Sequence, residues 1–252
     1  MTELNFKGKE FVYNHHLAVP FRPLKMHADK GIGEPSLDGN LIIHGDNLHA
    51  LKALLPLYAG KVDCIFIDPP YNTGNEGWAY NDNVNAPMIK EWLDSNPIGV
   101  EDGLRHDKWC AMMWPRLRLL YELLAENGSL WITLDDNEAQ RAKLMLDEIF
   151  GKYSFDANII WQKKYTVAAD HTGIAPMHDH LLVYSKSEWV RNKLERTEVK
   201  DAAYRFEDEK GVFRVSDYTC NKSADERPNL YYPITNPNTG EECWPNRTRV
   251  WG

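Results

Sequence analysis

The sequence contains short apolar runs separated by segments whose apolar residues recur at helical spacing. Residues 41–44, 62–67 and 130–134 have the length and apolar content typical of buried strands. Between the first two runs, leucines recur three or four positions apart, at Leu48, Leu51, Leu54 and Leu55. The pattern predicts a strand, a helix and a second strand, and either Asp46 or Asn47 is suited to cap that helix.

A strong apolar stripe further along the chain predicts a second helix, which we interpret as core. Its members are Trp109, Met112, Met113, Leu117, Leu120, Leu123 and Leu124. Pro115 is expected to kink this helix or to open its main part, and Asn127-Gly128 to end it. A third, amphipathic helix is predicted over residues 138–150, and residues 158–162 and 181–184 predict two more strands.

These elements predict an α/β fold in which strands alternate with helices and the sheet finishes in a β-rich end. Residues 1–39 lack sustained periodicity and are expected to form an extended or partly ordered arm. Residues 40–186 are expected to hold the sheet. Beyond them charges rise and periodicity weakens, so we place a domain boundary near residue 187 and treat residues 187–252 as a separate region.

Composition narrows the class of protein without naming a function. The 252 residues suffice for one core, or for one domain and part of a second. No apolar stretch approaches the length that crosses a bilayer and the start is polar, which favours a cytoplasmic protein without a membrane anchor. The four cysteines form no Cys-x-x-Cys pair, so zinc is not expected and reduced thiols are. Cys64, inside a predicted strand, is expected in the core.

The net charge of −8 argues mildly against nucleic acid, because phosphate binding normally needs a basic face. The distribution of charge leaves a basic cleft possible, since Lys163, Lys164, Arg247 and Arg249 all lie in the second half of the chain. The two lysines could meet phosphate or simply form a solvated face. The composition decides neither.

The most restrictive feature is Asp68-Pro69-Pro70-Tyr71, which directly follows the apolar run 62–67. In open α/β sheets ligands bind beyond the carboxyl ends of the strands, so Asp68 is placed where chemistry is usually done. Two prolines stiffen the backbone after it. A carboxylate, stiffened carbonyl groups and an aromatic ring are suited to holding a planar amine. The alternative is an ordinary strand that ends at proline.

Asp-Pro-Pro-Tyr after a buried strand resembles the catalytic motif of amino-group DNA methyltransferases, which move a methyl group from S-adenosylmethionine to adenine N6 or cytosine N4. The extension Asn72-Thr73-Gly74 is similar to the adenine-specific branch with permuted motif order, including modification subunits of type III restriction systems. The resemblance implies a Rossmann-like methyltransferase sheet, incomplete here, followed by the start of a target-recognition region.

The resemblance also implies roles for individual residues. Catalysis would fall to Asp68, Pro69, Pro70 and Tyr71. S-adenosylmethionine would be held by Asp46, Asn47 and Asp68. The alternative for Asp46 is that it only caps its helix. DNA contacts would come from Asn72, Thr73, Lys163 and Lys164. No metal is expected, because Asp135 and Asp136 at a strand end are better explained as helix caps.

The similarity covers residues 40–252. It includes the segments 106–109, 130–138, 159–164, 180–184, 227–233 and 244–251. One departure is that no glycine-rich Phe-x-Gly-x-Gly segment is present, although this branch places one after the recognition region. We therefore expect the front portion of a longer enzyme or a chain completed by a separate one. The long polar segment 72–107 is expected to fold over the site as a lid.

The implied partners are double-stranded DNA, a restriction subunit and a second methylase subunit. Two other functions stay open at this point. One is a DNA-binding remnant that has lost catalysis with the glycine-rich half. The other is an amino-methyltransferase acting on RNA or on a protein amine, because a similar Asn/Asp-Pro-Pro-Tyr arrangement serves those substrates as well.

Overall fold

A computed structural model describes residues 3–33, 36–74, 103–166, 173–195 and 197–252. The chain divides into two compact units, Met1–Arg191 and Asn192–Gly252. The division lies close to the boundary expected near residue 187. The predicted lid segment falls mainly on residues 75–102, outside the described residues.

The first unit is built on a four-stranded mixed sheet. Its strands are β1 (Val62–Ile67), β2 (Leu124–Leu134), β3 (Phe155–Gln162) and β4 (His178–Ser185). The order across the sheet is β1-β2-β4-β3, with β1 parallel to β2 and both remaining pairs antiparallel. Strands and helices alternate up to β3, and the antiparallel pair is the β-rich end. The predicted α/β class is confirmed.

Six α-helices are described. They are α1 (Lys9–Val12), α2 (His15–Ala18), α3 (Asn47–Tyr58), α4 (Arg105–Leu123), α5 (Ala139–Phe150) and α6 (Glu198–Asp201). Most of the predicted apolar stripe lies on the buried face of α4, where Trp109, Leu117 and Leu123 lie in the main core, but its last member, Leu124, is the first residue of β2. Helix α5 ends at Gly151, whose φ of 91° belongs to the left-handed region that favours glycine.

Helix α4 differs from its prediction at both ends. It begins at Arg105, and Pro115 lies inside it. It ends at Leu123, so Asn127-Gly128 does not end it but lies within β2. A Cβ on Gly128 would come within 2.8 Å of the Val62 carbonyl oxygen and of the Leu124 side chain. Glycine is therefore required here by the close approach of β1 and not by a helix terminus.

The predicted strand at residues 41–44 is wrong, because these residues adopt no strand and Ile42 is fully exposed. An apolar run forms a strand only where a neighbour pairs with it, and the described residues provide none. As a result β1 is the outer strand of the described sheet. The expectation that Cys64 is a core residue is also wrong, since Cys64 is exposed and the neighbouring Phe66 is 62% exposed.

The amino-terminal segment is more ordered than its lack of periodicity predicts. Val12 is completely buried and joins the main core, and Phe6 joins it as well. The indole nitrogen of Trp114 donates to the Tyr13 carbonyl oxygen at 3.1 Å, and Lys9 pairs with Glu148 at 2.8 Å. These few anchors hold the segment against α4 and α5, which a periodicity argument does not detect.

The second unit contains little regular structure, as its weak periodicity predicts. It has α6 and two short hairpins, β5 (Phe206–Asp208) with β6 (Gly211–Phe213), and β7 (Ile234–Thr235) with β8 (Glu242–Cys243). The end of the chain folds back on this unit, because Cys220 donates its amide to the Val250 carbonyl and Gly252 donates to Tyr218. Among the described residues, no helix has both the length and the apolar content needed to cross a membrane.

Candidate active site

The candidate site begins where β1 ends. Asp68 follows Ile67 directly and is exposed, and the parallel register of β1 with β2 pairs Ile67 with Ile132. Thr133 therefore lies beside Asp68, and its hydroxyl donates to the Asp68 carboxylate at 2.5 Å. The exposed carboxylate is thus fixed in orientation by a residue of the neighbouring strand.

The two proline carbonyls after Asp68 have different surroundings. The Pro70 oxygen accepts a hydrogen bond of 2.6 Å from the indole nitrogen of Trp109, a buried residue near the start of α4. Within the described residues, no donor to the Pro69 carbonyl oxygen is recorded. Among the residues that the structure describes, a donor therefore occupies the Pro70 carbonyl and not the Pro69 carbonyl.

Tyr71 is half-buried and packs against the main core. Burial raises the pKa of its phenol, with Asp68 and Asp179 adding to the increase and a hydrogen bond from Thr133 opposing it. The phenol is therefore protonated at neutral pH. The ammonium of Lys163 lies 5.9 Å from the centre of its ring.

Asn72 does not occupy the place that a DNA contact requires. Its side chain is completely buried, and its amide nitrogen donates to Glu138 Oε1 at 2.5 Å and to the Arg105 carbonyl at 3.2 Å. The predicted contact between Asn72 and DNA is corrected here, because these bonds turn the side chain inward. Thr73, predicted for the same role, is half-buried.

Glu138 is a site residue that the sequence did not reveal. It lies at the N-cap position of α5, where its side chain makes no capping hydrogen bond, and it is completely buried. Its Oε1 lies 2.5 Å from both the Asn72 amide nitrogen and His106 Nδ1. Burial raises the pKa of the Glu138 carboxyl, and the hydrogen bonds from Asn72 and His106 oppose that increase. The only sequence signal was an acidic residue at a helix start, which ordinarily indicates a cap.

Asp46 caps α3 as the sequence predicts. Its Oδ1 accepts from the amides of Leu48 and His49 at 3.0 and 3.2 Å, and Arg116 approaches its Oδ2 to 3.9 Å. Burial raises the pKa of Asp46, but the His49 amide and the Arg116 charge outweigh that effect, so the net pKa is below its ordinary value. The group is therefore an ionised acceptor whose side chain remains 46% exposed.

Asn47 joins the same cluster, because its Oδ1 accepts from Arg116 Nε at 2.7 Å. The described contacts do not join Asp46 to Asp68. The Asp46 cluster contacts α4 at Arg116 and Pro70 contacts it at Trp109, seven positions earlier, so the two contacts lie about 10 Å apart along this helix at the helical rise.

Lys163 and Lys164, the predicted phosphate contacts, differ in their surroundings. Lys163 bonds to Asp179 at 2.5 Å, and that hydrogen bond is the main reason its pKa is raised. Its charge is partly balanced within the fold. Lys164 is exposed, and its amide bonds to the Met177 carbonyl at 3.2 Å.

One group of three side chains in the described part of the chain has the donor types of a metal site. Potential ligand atoms of Asp136, His178 and His180 lie within 4.8 Å of one another. His180 Nε2 lies 2.9 Å from Asp136 Oδ1, and this hydrogen bond is the main cause of the lowered pKa of Asp136. A hydrogen bond already joins the pair, and the absence of a metal stays a prediction.

The family model for N6 and N4 methyltransferases, described as DNA methylase, matches residues 62–245. That range covers most of the chain. It contains Glu138 and residues 68–71, which we call the Asp68 corner. The chain belongs to this DNA methylase family.

Relatives of this chain include modification subunits of type III restriction–modification enzymes. The chain is 34% identical over 222 residues to the StyLTI Mod subunit of Salmonella typhimurium, covering 81% of this chain and 34% of that protein. It is 33% identical over 213 residues to the EcoPI Mod subunit of Escherichia phage P1, covering 77% and 33%. The chain spans about a third of the length of these curated relatives.

A solved structure described as an M1.HpyAVI–SAM complex also resembles this chain. It covers 62% of this chain and 60% of its own, with 18% sequence identity and a TM-score of 0.35. The resemblance to a permuted adenine methyltransferase predicted from the Asp68 motif is confirmed by the family match and the type III relatives. The roles of individual residues stay predictions.

Proposed function

We propose that the chain is part of a site-specific DNA methyltransferase that methylates adenine N6 in a restriction–modification system. The observation that carries this proposal is the pair of acceptors at the end of β1. Asp68 is oriented by Thr133, and the Pro69 carbonyl is left for a ligand while Trp109 occupies the next carbonyl. Two acceptors match the two hydrogens of an exocyclic amine.

The adenine N6 amine is a weak nucleophile because its lone pair is delocalised into the ring. When Asp68 and the Pro69 carbonyl accept its two hydrogens, they favour a more tetrahedral nitrogen and orient its lone pair. The Asp68 carboxylate also stabilises the positive charge that develops on this nitrogen. Because the amine proton becomes acidic as the new bond forms, Asp68 does not need to be a strong base.

Tyr71 supplies the aromatic face for the target base. A base inside a duplex is out of reach and must be flipped out at a cost of a few kcal/mol. Stacking on an aromatic ring returns about 1–3 kcal/mol of that cost. Packing of Tyr71 against the core limits its motion, so little side-chain entropy is lost when a base stacks.

S-adenosylmethionine supplies the methyl group from its sulfonium centre. Asp46 fits the nucleoside part of this cofactor, because its carboxylate is ionised, about half exposed and fixed by the start of α3. Asn47 is held beside it by Arg116. The Asp46 cluster and the turn after β1 contact α4 at Arg116 and Trp109, about two turns apart, which suits an extended cofactor that reaches both.

The proposal includes duplex DNA as substrate, a cytoplasmic location, a restriction subunit and a second methylase subunit as partners. Support comes from relatives that are named as Mod subunits of type III restriction–modification enzymes. The proposed DNA contacts are Thr73, Lys164 and Lys163, whose charge is partly balanced by Asp179. Residues 187–252 are the proposed start of the target-recognition region.

The test is methyl transfer from labelled S-adenosylmethionine by the intact protein, with duplex DNA, RNA and protein as separate substrates. Asp68→Ala and Asp68→Asn are compared with Asp63→Asn, a control at an exposed position on the same strand. We expect labelled N6-methyladenine from DNA alone, a loss of at least about a hundredfold for both Asp68 variants and no loss for the control. Undiminished transfer by Asp68→Ala would exclude the proposed role of the corner.

A further inference from the structure

A buried polar cluster lies directly behind the candidate site. Glu138 Oε1 lies 2.5 Å from the Asn72 amide nitrogen and 2.5 Å from His106 Nδ1, and Arg141 approaches Oε2 to 3.6 Å. Glu138 and Asn72 are both completely buried. Burial of a carboxylate is costly unless donors satisfy it, so the contacts of Oε1 with Asn72 and His106 stabilise Glu138, whereas Oε2 has no hydrogen-bond donor among the described residues.

The backbone at Asn72 needs this support. Its φ of 61° is in the left-handed region, and Asn72 is the one non-glycine residue in the described chain with a positive φ. A residue in that region persists only where surrounding contacts determine it. The Asn72 amide supplies those contacts, because it bonds to Glu138 at the start of α5 and to the Arg105 carbonyl at the start of α4.

The turn at Asn72 sets the direction of the four residues before it. Upstream, Thr133 fixes Asp68 and Trp109 fixes the Pro70 carbonyl. Downstream, the side-chain amide of Asn72 links the turn to the start of α5 through its hydrogen bond to Glu138. If that tie is lost, the left-handed turn at Asn72 loses its link to α5, and we expect the Pro69 carbonyl and the Tyr71 ring to be held less firmly relative to Asp68.

We propose that Glu138 is a positioning residue of the methyl-transfer site, which acts through Asn72 to fix the turn that presents Asp68, Pro69 and Tyr71. This inference rests on the proposed function. His106 supports Glu138 from the other side, since its ring nitrogen shares the oxygen that holds Asn72. Glu138 touches neither substrate nor cofactor in this role.

The experiment compares Glu138→Ala, Glu138→Gln, Asn72→Gly and the Glu138→Ala/Asn72→Gly double variant in the intact protein. Asn72→Gly removes the amide but keeps a residue suited to the left-handed backbone. Glu148→Gln is the matched control, because Glu148 lies on the same helix and pairs with Lys9 away from the site. Steady-state methyl transfer and hydrogen exchange of the amides of Tyr71, Asn72 and Thr73 are both measured.

We expect Glu138→Ala to lower kcat at least about tenfold, with KM for DNA and cofactor changed less than about twofold. Exchange at Tyr71–Thr73 should accelerate while exchange along β2 stays unchanged, which a general loss of folding would not produce. Glu138→Gln retains an acceptor for Asn72 and should recover most of kcat. The double variant should lose no more than the worse single variant, because both changes break one interaction.

Unchanged exchange at Tyr71–Thr73 in Glu138→Ala, or losses that multiply in the double variant, would overturn the inference. If Glu138→Ala fails to fold, Asn72→Gly tests the same hydrogen bond, because it removes the other partner. A wild-type protein that methylates no DNA would refute the proposed function, while the exchange measurement still decides whether Glu138 holds the turn.

Discussion

The indole nitrogen of Trp109 donates a 2.6 Å hydrogen bond to the Pro70 carbonyl oxygen. Trp109 belongs to α4 and is completely buried, whereas Pro70 lies in the turn after β1. The bond therefore ties the core helix to the candidate site across 39 positions of sequence. In the proposed site this bond occupies the Pro70 carbonyl, so the substrate amine is expected to donate to the Pro69 carbonyl and Asp68.

Trp109→Phe tests this tie. Phenylalanine keeps an aromatic ring in the core but leaves the Pro70 carbonyl without its donor, and we expect kcat for methyl transfer to fall about tenfold. Trp114→Phe is the matched control, because its indole nitrogen also bonds to a backbone carbonyl, that of Tyr13. Both variants should lose about 1–3 kcal/mol in free energy of unfolding, measured in urea. Equal losses of kcat in the two variants would contradict a specific role for Trp109.

Thr133→Val tests the orientation of Asp68. The change replaces a hydroxyl by a methyl group of similar size, so the Asp68 carboxylate loses the 2.5 Å hydrogen bond that fixes it. We expect kcat to fall about tenfold with little change in thermal stability, since Asp68 is exposed and regains water. Thr133→Ser restores the donor and should return most of kcat. If Ser and Val behave alike, the hydroxyl is not what orients Asp68.

The pattern of apolar residues predicts elements where one face packs on a single large core. Helix α4 and helix α5 follow their stripes, and the candidate corner falls at the end of β1 as expected. The pattern fails where pairing decides the outcome. Residues 41–44 have the composition of a strand, but no described strand pairs with them, and β1 is consequently exposed on its Cys64 face.

The candidate site also has a part that the sequence predicts and a part that only the fold reveals. Asp68 to Tyr71 are contiguous, so their chemistry is visible in the sequence. Glu138 lies 66 positions from Asn72 and Thr133 lies 65 from Asp68, and only the parallel pairing of β1 with β2 brings them together. A buried carboxylate at a helix start has the same sequence signature as an exposed cap, so burial was needed to distinguish them.

Asp46→Asn separates the two roles of Asp46. Asparagine caps helices about as well as aspartate, so the free energy of unfolding should change by less than about 0.5 kcal/mol. Asp46→Ala removes the cap and should cost about 1 kcal/mol. Because the carboxylate is expected to accept from the cofactor, both variants should raise KM for S-adenosylmethionine about tenfold, with kcat less affected. A normal KM in Asp46→Asn would leave Asp46 only its capping role.

His16 makes stability depend on pH. Burial in α2, with the nearby charges of Arg118 and Lys52, lowers the pKa of His16 from 6.5 to about 4, and Glu122 at 3.7 Å does not compensate. The unfolded chain therefore binds this proton at a higher pH than the folded chain does. The stabilising neutral form is fully present above pH 6.5, and its contribution is lost as pH falls from about 6.5 to about 4.

The pKa difference corresponds to about 3 kcal/mol in the free energy of unfolding, which is the upper limit of the expected loss at pH 4. Urea denaturation at several pH values measures it, with His16→Gln compared against His27→Gln at an exposed position. His16→Gln should be less stable at pH 7 but should lose less stability on acidification, because no proton binds there. His27→Gln should follow the wild type. Parallel pH profiles for all three proteins would show that His16 is not the titrating group.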